Sequence, residues 1–205
     1  AWQEKFICPP SPEDLKAAFL RYADAFYLDG NGPRFMQDPG LVKKKGKQNT
    51  IDRLLMEMPG DQTREKNTDH FVKRGTVSTL CPSCCAMALY TLQTNAPAGG
   101  RGHRTSLRGG GPLTTLVVGR TLWETIWLNV LPPDAMDRFG NAKKTGMADI
   151  FPWLGHIRTS TNNETTTPTQ ASPLQMFWGM PRRIRLTFMD HSDAIECDLC
   201  GCRVH

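Results

Sequence analysis

Between Phe71 and Trp123 the chain contains no aspartate and no glutamate. Over the same stretch it carries Lys73, Arg74, Arg101, Arg104, Arg108 and Arg120. A long window without acids but with arginines is the electrostatic footprint of a surface that meets a polyanion. The net charge of the 205 residues is only +5, so the positive charge is concentrated in a patch rather than spread along a basic tail. Long apolar runs are also missing, which excludes a membrane-spanning helix. No basic segment followed by an apolar one opens the chain, so no secretory leader is expected in this sequence. Ala1 stands where a Met is usual and the chain stops just after a cysteine cluster, which carries the expectation of a piece of a longer protein. The seven cysteines are an odd number, which argues against a pure disulfide framework. With 39% hydrophobic residues and 15 prolines, the composition is that of a globular, loop-rich protein able to bury a core as one domain or two small ones.

Enzyme signatures are scarce as well. The segment from Gly40 through Gly46-Lys47-Gln48 resembles a phosphate-binding P-loop only superficially. It has one residue too many between its glycines, and Gln48 stands where a Mg²⁺-binding Ser or Thr belongs. His70, His103, His156, His191 and His205 form no metal-ligating or protease motif. Cysteine–histidine catalysis stays open as a rival, because partners can meet in space. Cysteines arranged in pairs are usually occupied, however, and the expectation is a protein that is not an enzyme.

What is present is a glycine- and arginine-rich stretch, AGGRGHRTSLRGGG, at residues 98–111. Glycine has no Cβ, so its backbone can lie directly against another molecule, and arginine adds a planar fork of donors suited to phosphates and base edges. The plainer alternative is a loop whose arginines are merely solvated. Two C-x2-C knuckles, Cys81-Pro-Ser-Cys84 and Cys197-Asp-Leu-Cys200, supply the four thiolates of a tetrahedral Zn²⁺ site. They stand far apart in the sequence, so the metal would clip a domain together rather than create a small finger. A redox pair and unconnected buried cysteines are the rivals. Cys85 and Cys202 are adjacent spares, and Cys8 reads as buried or free.

Ser11-Pro12-Glu13-Asp14 opens a helix with a cap, a first-turn proline and acids at the positive end of the dipole, and Leu15, Ala18, Phe19, Tyr22 and Phe26 form its expected core face. The lysines at 43–45 and 47 read as a solvated loop, with phosphate contact as the second reading. Thr50 caps a short helix carrying Ile51, Leu54 and Leu55. Residues 61–68 read as flexible, 70–80 as a strand or hairpin about Gly75, and 82–92 as a helix rising from the first knuckle. Residues 112–118 read as a buried strand, and Thr121 to Glu124 as a capping box opening a core helix with Leu122, Trp123, Ile126, Trp127, Val130 and Leu131. Residues 158–172 read as an exposed loop, 174–178 as a helical turn, and 183–188 as a half-buried strand with a basic face. The expected fold class is α+β, with mixed helices and short strands clipped by the four-cysteine zinc site. No internal repeat and no clear domain boundary emerge, so residues 1–205 are read as a single partial domain.

Several strings taken together carry a resemblance. They are Phe71-Val-Lys73-Arg74-Gly75, Leu80-Cys81-x-x-Cys84, Ala88-Leu89-Tyr90, Asn95-Ala96-Pro97, Ser106-Leu107-Arg108-Gly109-Gly110, Pro112-Leu113-Thr114-Thr115, Leu128-Asn129-Val130-Leu131, Gly179-Met180-Pro181-Arg182-Arg183-Ile184 and the late Cys197-x-x-Cys200. In this order and spacing they resemble the CasA family, the large subunit of the type I-E CRISPR surveillance complex Cascade. The resemblance implies a non-catalytic, cytoplasmic, prokaryotic protein with a four-cysteine zinc site. Its chain would match the middle of the family's N-terminal domain, without the initial strands and the C-terminal four-helix bundle. It implies reading of the protospacer-adjacent motif (PAM) in double-stranded target DNA, help in opening the duplex, and recruitment of the helicase–nuclease. The family's minor-groove glycine loop corresponds to Ala98, Gly99, Gly100, Arg101 and Gly102, with Arg101 a departure from more glycine-rich loops. The family's flexible loop before the first knuckle corresponds to Asn67 to Arg74, with Phe71 the matching aromatic and Lys73 and Arg74 beside it. Arg104, Arg108 and Arg120 then fall where phosphates would be contacted. Guide RNA and the other Cascade subunits are the further implied partners. The alternative is a zinc-stabilised scaffold that meets guide RNA or protein rather than PAM DNA.

Overall fold

A computed structural model describes residues 2–41, 48–97, 105–109, 114–141, 143–159 and 164–204. In chain order these form α1 (Trp2–Ile7), α2 (Pro12–Leu20), α3 (Asp61–Glu65) and α4 (Pro82–Asn95). Then come α5 (Leu122–Leu128), α6 (Pro133–Met136), α7 (Met147–Ile150) and α8 (Gln175–Trp178). Strands β1 (Ile195–Glu196) and β2 (Arg203–Val204) follow, paired antiparallel with Ile195 opposite Val204 and Glu196 opposite Arg203. Short 3-10 turns occupy Ala23–Phe26, Ile51–Leu54 and Pro152–Leu154. The α+β class is therefore as expected, with helices dominant and the sheet reduced to two short strands among the described residues. The chain divides into two compact units, Ala1–Tyr27 with Leu113–Trp178, and Leu28–Pro112 with Gly179–His205.

The first unit is built on aromatic side chains. Trp153 and Ala25 are buried, and the Trp153 Nε1–H donates to the Ala25 carbonyl at 2.6 Å. Phe26, Phe151 and Trp178 surround Trp153 mostly edge-on, with ring centroids 5.2–6.2 Å away, a favoured aromatic geometry. A second aromatic group joins α1 to α5. Trp127 Nε1–H donates to the Trp2 carbonyl, Trp123 Nε1–H to that of Lys5, and Trp2 Nε1–H to that of Val130. Each indole buries part of its ring and still satisfies its polar edge. All five tryptophans of the chain lie in this unit.

Three expectations fail here. Ser11 does cap α2, its Oγ accepting from Asp14 N–H at 3.1 Å. The helix nevertheless stops at Leu20, no residue of it is buried, and Phe19 is 68% exposed. Residues 114–118 form no strand, and Leu116, Val117 and Val118 are exposed rather than buried. Their backbone is held by a side chain instead: Val117 N–H donates to Asn129 Oδ1, and Asn129 Nδ2 donates to the Val117 carbonyl. Thr121 caps α5 as expected, but the Glu124 carboxylate reaches back to the N–H of Arg120. Leu122 and Ile126 face outward, with Leu122 77% exposed, and only the tryptophan side of α5 packs on α1. An apolar period identifies a face, but not the element that covers it.

The second unit has its core along α4 and the chain that crosses it. Leu89, Leu92, Cys84 and Cys85 of α4 are buried, as are Leu54, Leu55, Met36, Val77 and Leu186. Buried Gln37 bridges two segments, donating through Nε2 to the Leu28 carbonyl and accepting through Oε1 from Leu186 N–H. Buried Asp38 pairs with Arg183. Residues 183–188 show the expected alternation, with Leu186 inward and Arg183 and Arg185 outward, yet they form no strand. Their pairing partners are the Gln37 side chain and the Asp38 N–H, which donates to the Ile184 carbonyl. The expected strand at 70–80 is likewise absent, replaced by turns, and the polar stretch expected to be flexible contains α3. Thr50 precedes a 3-10 turn, not an α-helix, and gives its hydroxyl hydrogen to the Asp52 carboxylate.

Candidate metal centre and nucleic-acid interface

The cysteine centre starts from a helix N-terminus. Pro82 occupies the first turn of α4, where its missing N–H costs nothing, and Cys81 takes the cap position. The Cys81 sulfur accepts from Cys84 N–H at 3.4 Å, so the first knuckle is a helix cap built from sulfur. The second knuckle is a turn between β1 and β2. Cys197 N–H donates to the Cys202 carbonyl and Gly201 N–H to that of Cys197. Gly201 has φ of +71°, a left-handed conformation that glycine adopts without strain. Asp198 fastens the two knuckles together. Its carboxylate accepts from Ser78 N–H at 2.7 Å and Thr79 N–H at 2.8 Å, and its own N–H donates to the Thr79 carbonyl.

The result brings Cys81, Cys84, Cys197 and Cys200 together, with every sulfur within 4.8 Å of the others. The Cys81 and Cys200 sulfurs are 3.7 Å apart. A tetrahedron with metal–sulfur arms of about 2.3 Å has edges of about 3.8 Å, so the set is the size a zinc ion needs. Cys81, Cys84 and Cys197 are buried, with Cys200 at the exposed edge. Electrostatics point the same way. Burial opposes ionisation of Cys197, but the amides of Cys81, Cys200 and Leu199 outweigh it and bring its thiol down to about 6. The amide of Cys84 likewise lowers Cys81. Cys84 moves the other way, pushed up chiefly by its hydrogen bond with the Cys81 sulfur and by burial. A cation among the four sulfurs would favour the thiolate form of each. Of the spares, Cys85 is buried and pushed up by that burial to about 11, whereas Cys202 and Cys8 are exposed.

The other end of α4 carries the glycine-rich stretch. Leu107 N–H donates to the Gln93 carbonyl at 3.0 Å and Arg108 N–H to that of Thr94 at 3.1 Å. Both are last-turn carbonyls that a helix leaves unpaired. Gln93 is fully buried, and its side-chain amide grips the Arg182 backbone in both directions, donating to the carbonyl at 2.8 Å and accepting from the N–H at 3.0 Å. Arg182 Nη2 in turn donates to the Pro97 carbonyl. The entry at Pro97 and the exit at Leu107–Arg108 are thus both secured to one scaffold. Ala98, Gly99, Gly100, Arg101, Gly102 and Arg104 lie outside the described residues, as does the lysine run at 43–47. Arg108 is described and exposed, next to Gly109 at φ +76°.

Phe71 and Lys73 stand exposed on turns between α3 and the first knuckle, and Phe71 is entirely so. Arg74 is engaged within the protein. Its guanidinium bonds Asp69 through two nitrogens and also donates to the Arg64 carbonyl and Asn67 Oδ1. The Arg74 hydrogen bonds hold the Asp69 carboxyl down at about 2. Arg120 pairs with Glu124, just past the acid-free window. Sequence reasoning missed the Asp198 staple and the Gln93–Arg182 grip. Asp198 sits between two knuckle cysteines and so had a positional signal, whereas Gln93 had none.

The sequence model of the family described as CRISPR-associated protein Cse1 matches residues 1–204. The chain belongs to the Cse1 family. That family and the CasA resemblance of the sequence name the same large subunit of type I-E Cascade, a non-catalytic component. As a Cse1-family chain it is a CRISPR Cascade subunit, and membership points to other Cascade subunits and nucleic acids as its partners. Among the described residues no helix is long and apolar enough to cross a membrane.

Proposed function

We propose that this chain is the part of a Cse1 subunit that reads the PAM of double-stranded target DNA, with residues 98–102 as a backbone-led minor-groove loop. The observation that carries the reading is the double anchorage of that stretch, at Pro97 by Arg182 and at Leu107 and Arg108 by the end of α4. A binding loop needs fixed feet to hold its shape against a duplex. Minor-groove readout distinguishes mainly A·T from G·C, so a glycine backbone there senses groove shape and tolerates several PAMs. Guide pairing then supplies sequence specificity, and the subunit aids duplex opening and helicase–nuclease recruitment. Lys73, Arg101, Arg104 and Arg108 contact phosphates, while Arg74 serves the interface by bracing the turn that presents Phe71. Zn²⁺ held by Cys81, Cys84, Cys197 and Cys200 supplies no chemistry to a substrate; it fixes the N-terminal end of α4.

The complete exposure of Phe71 favours a second reading, in which this surface docks on guide RNA or a protein subunit. The two are separated in reconstituted Cascade by measuring duplex affinity with and without the PAM, for the native chain and for Gly100→Asp. PAM reading requires a PAM-dependent affinity that Gly100→Asp abolishes. Equal affinity for both duplexes supports the docking alternative.

A further inference from the structure

Five thiols gather at the metal centre, one more than a tetrahedral shell holds. Cys202 follows Gly201 out of the second knuckle, and its sulfur lies 3.2 Å from that of Cys200. Burial separates the set into a protected and an accessible part. Cys81, Cys84, Cys85 and Cys197 are buried, whereas Cys200 and Cys202 are exposed. An oxidant arriving from solvent therefore meets the Cys200–Cys202 edge first, and oxidation of thiols follows accessibility and the presence of a resolving partner. The glycine between the two cysteines has open space where a Cβ would stand, so the short turn has room to tighten.

We propose that Cys200 and Cys202 form an oxidisable pair at the rim of the centre, which a peroxide converts to a disulfide with loss of the metal. The Cys200 thiolate attacks a peroxide oxygen, the O–O bond breaks, Cys200 becomes a sulfenic acid, and the leaving hydroxide takes a proton from solvent to depart as the first water. The Cys202 thiolate attacks that sulfur, the S–S bond forms, the S–O bond breaks, and the leaving hydroxide takes a proton to become the second water. Two thiols have lost two electrons to one peroxide. Zinc keeps its oxidation state. The sulfenate at Cys200 could still ligate through its charged oxygen, whereas the disulfide could not, so closure by Cys202 would leave three thiolates where a four-coordinate zinc needs four donors. The inference rests on the zinc reading of this site.

The test is hydrogen peroxide titration of the zinc-loaded full chain with a chromogenic zinc chelator, alongside peptide mapping of disulfides. Zinc release is expected to rise in step with a single Cys200–Cys202 linkage, and dithiothreitol with added zinc to reverse both. Cys202→Ser is expected to hold zinc as purified and to release it about tenfold more slowly, since no thiol closes on oxidised Cys200. Cys85→Ser is expected to behave as the native chain does. Release from Cys202→Ser at the native rate overturns the proposal, as does a linkage mapped between other cysteines. A Cys202→Ser chain that folds but carries no zinc also overturns it, because Cys202 is then a ligand. If that variant does not fold, the mapping of the native chain decides alone. A native chain that purifies without metal defeats the zinc reading and the release step together, and the mapping distinguishes this from failure of the pair.

Discussion

Asp198 and Thr79 bond each other twice, the Thr79 N–H donating to the Asp198 carboxylate at 2.8 Å and the Asp198 N–H to the Thr79 carbonyl at 3.0 Å. With Ser78 as a third donor, this joins the chain entering the first knuckle to the turn of the second. Asp198→Ala is expected to weaken zinc binding by about 10- to 100-fold without removing a ligand, as loss of outer-sphere support does elsewhere. Asp198→Asn keeps one carbonyl oxygen to accept those amides and is expected to fall in between. Competition with a chelator of known affinity measures both.

Gln93 is the counterpart at the far end of α4. Gln93→Leu keeps the volume but strands the N–H and C=O of Arg182, which its amide now satisfies. Stranding a buried group costs about 1–3 kcal/mol, and because these two are only part-buried a loss of about 2 kcal/mol is expected in urea unfolding. Residues 105–109 are expected to gain faster amide exchange than the cysteine turn, because their foot on α4 includes the Gln93 carbonyl.

The Asp69–Arg74 pair sets a pH dependence with a definite sign. Its folded-state carboxyl is held at about 2 by Arg74, below the ordinary value of 3.8. A depressed acid contributes stability that is fully present above its unfolded value and is lost as pH falls through its folded one. The urea midpoint of the native chain is therefore expected to fall more steeply between about pH 4 and 2 than that of Asp69→Asn, which has no proton to take up. Parallel curves for the two proteins would exclude the pair as the cause.

In the first unit, Trp153→Ala removes a fully buried indole and its bond to Ala25. The expected loss is about 3–5 kcal/mol, read by thermal or urea melting. Leu122→Ala, by contrast, is expected to change stability by less than about 0.5 kcal/mol, because that side chain already faces out.

What was legible in the sequence was chemistry that acts over a few residues. Ser11 and Thr121 cap their helices, α4 rises from Cys81-Pro82, and the alternation at 183–188 sorts its side chains as expected. The knuckle spacing likewise foretold a cluster of sulfurs although its halves are distant in the chain. What was not legible depends on partners. Leu116 to Val118 have strand composition, yet no neighbouring backbone among the described residues pairs with them, and Asn129 supplies the hydrogen bonds instead. The apolar stripe of α5 is real, but only its indoles find α1. Arg74 counts among the cations of the acid-free window, yet its partner, Asp69, stands just outside that window.

The confinement of all five tryptophans to the first unit gives the protein a natural optical division. Intrinsic indole emission follows that unit alone, with no label attached. The second unit is dark at those wavelengths but holds every cysteine except Cys8, so thiol-metal absorption after cobalt substitution follows it in the same cuvette. One sample and one titration can therefore tell whether the two halves melt as one body or in turn.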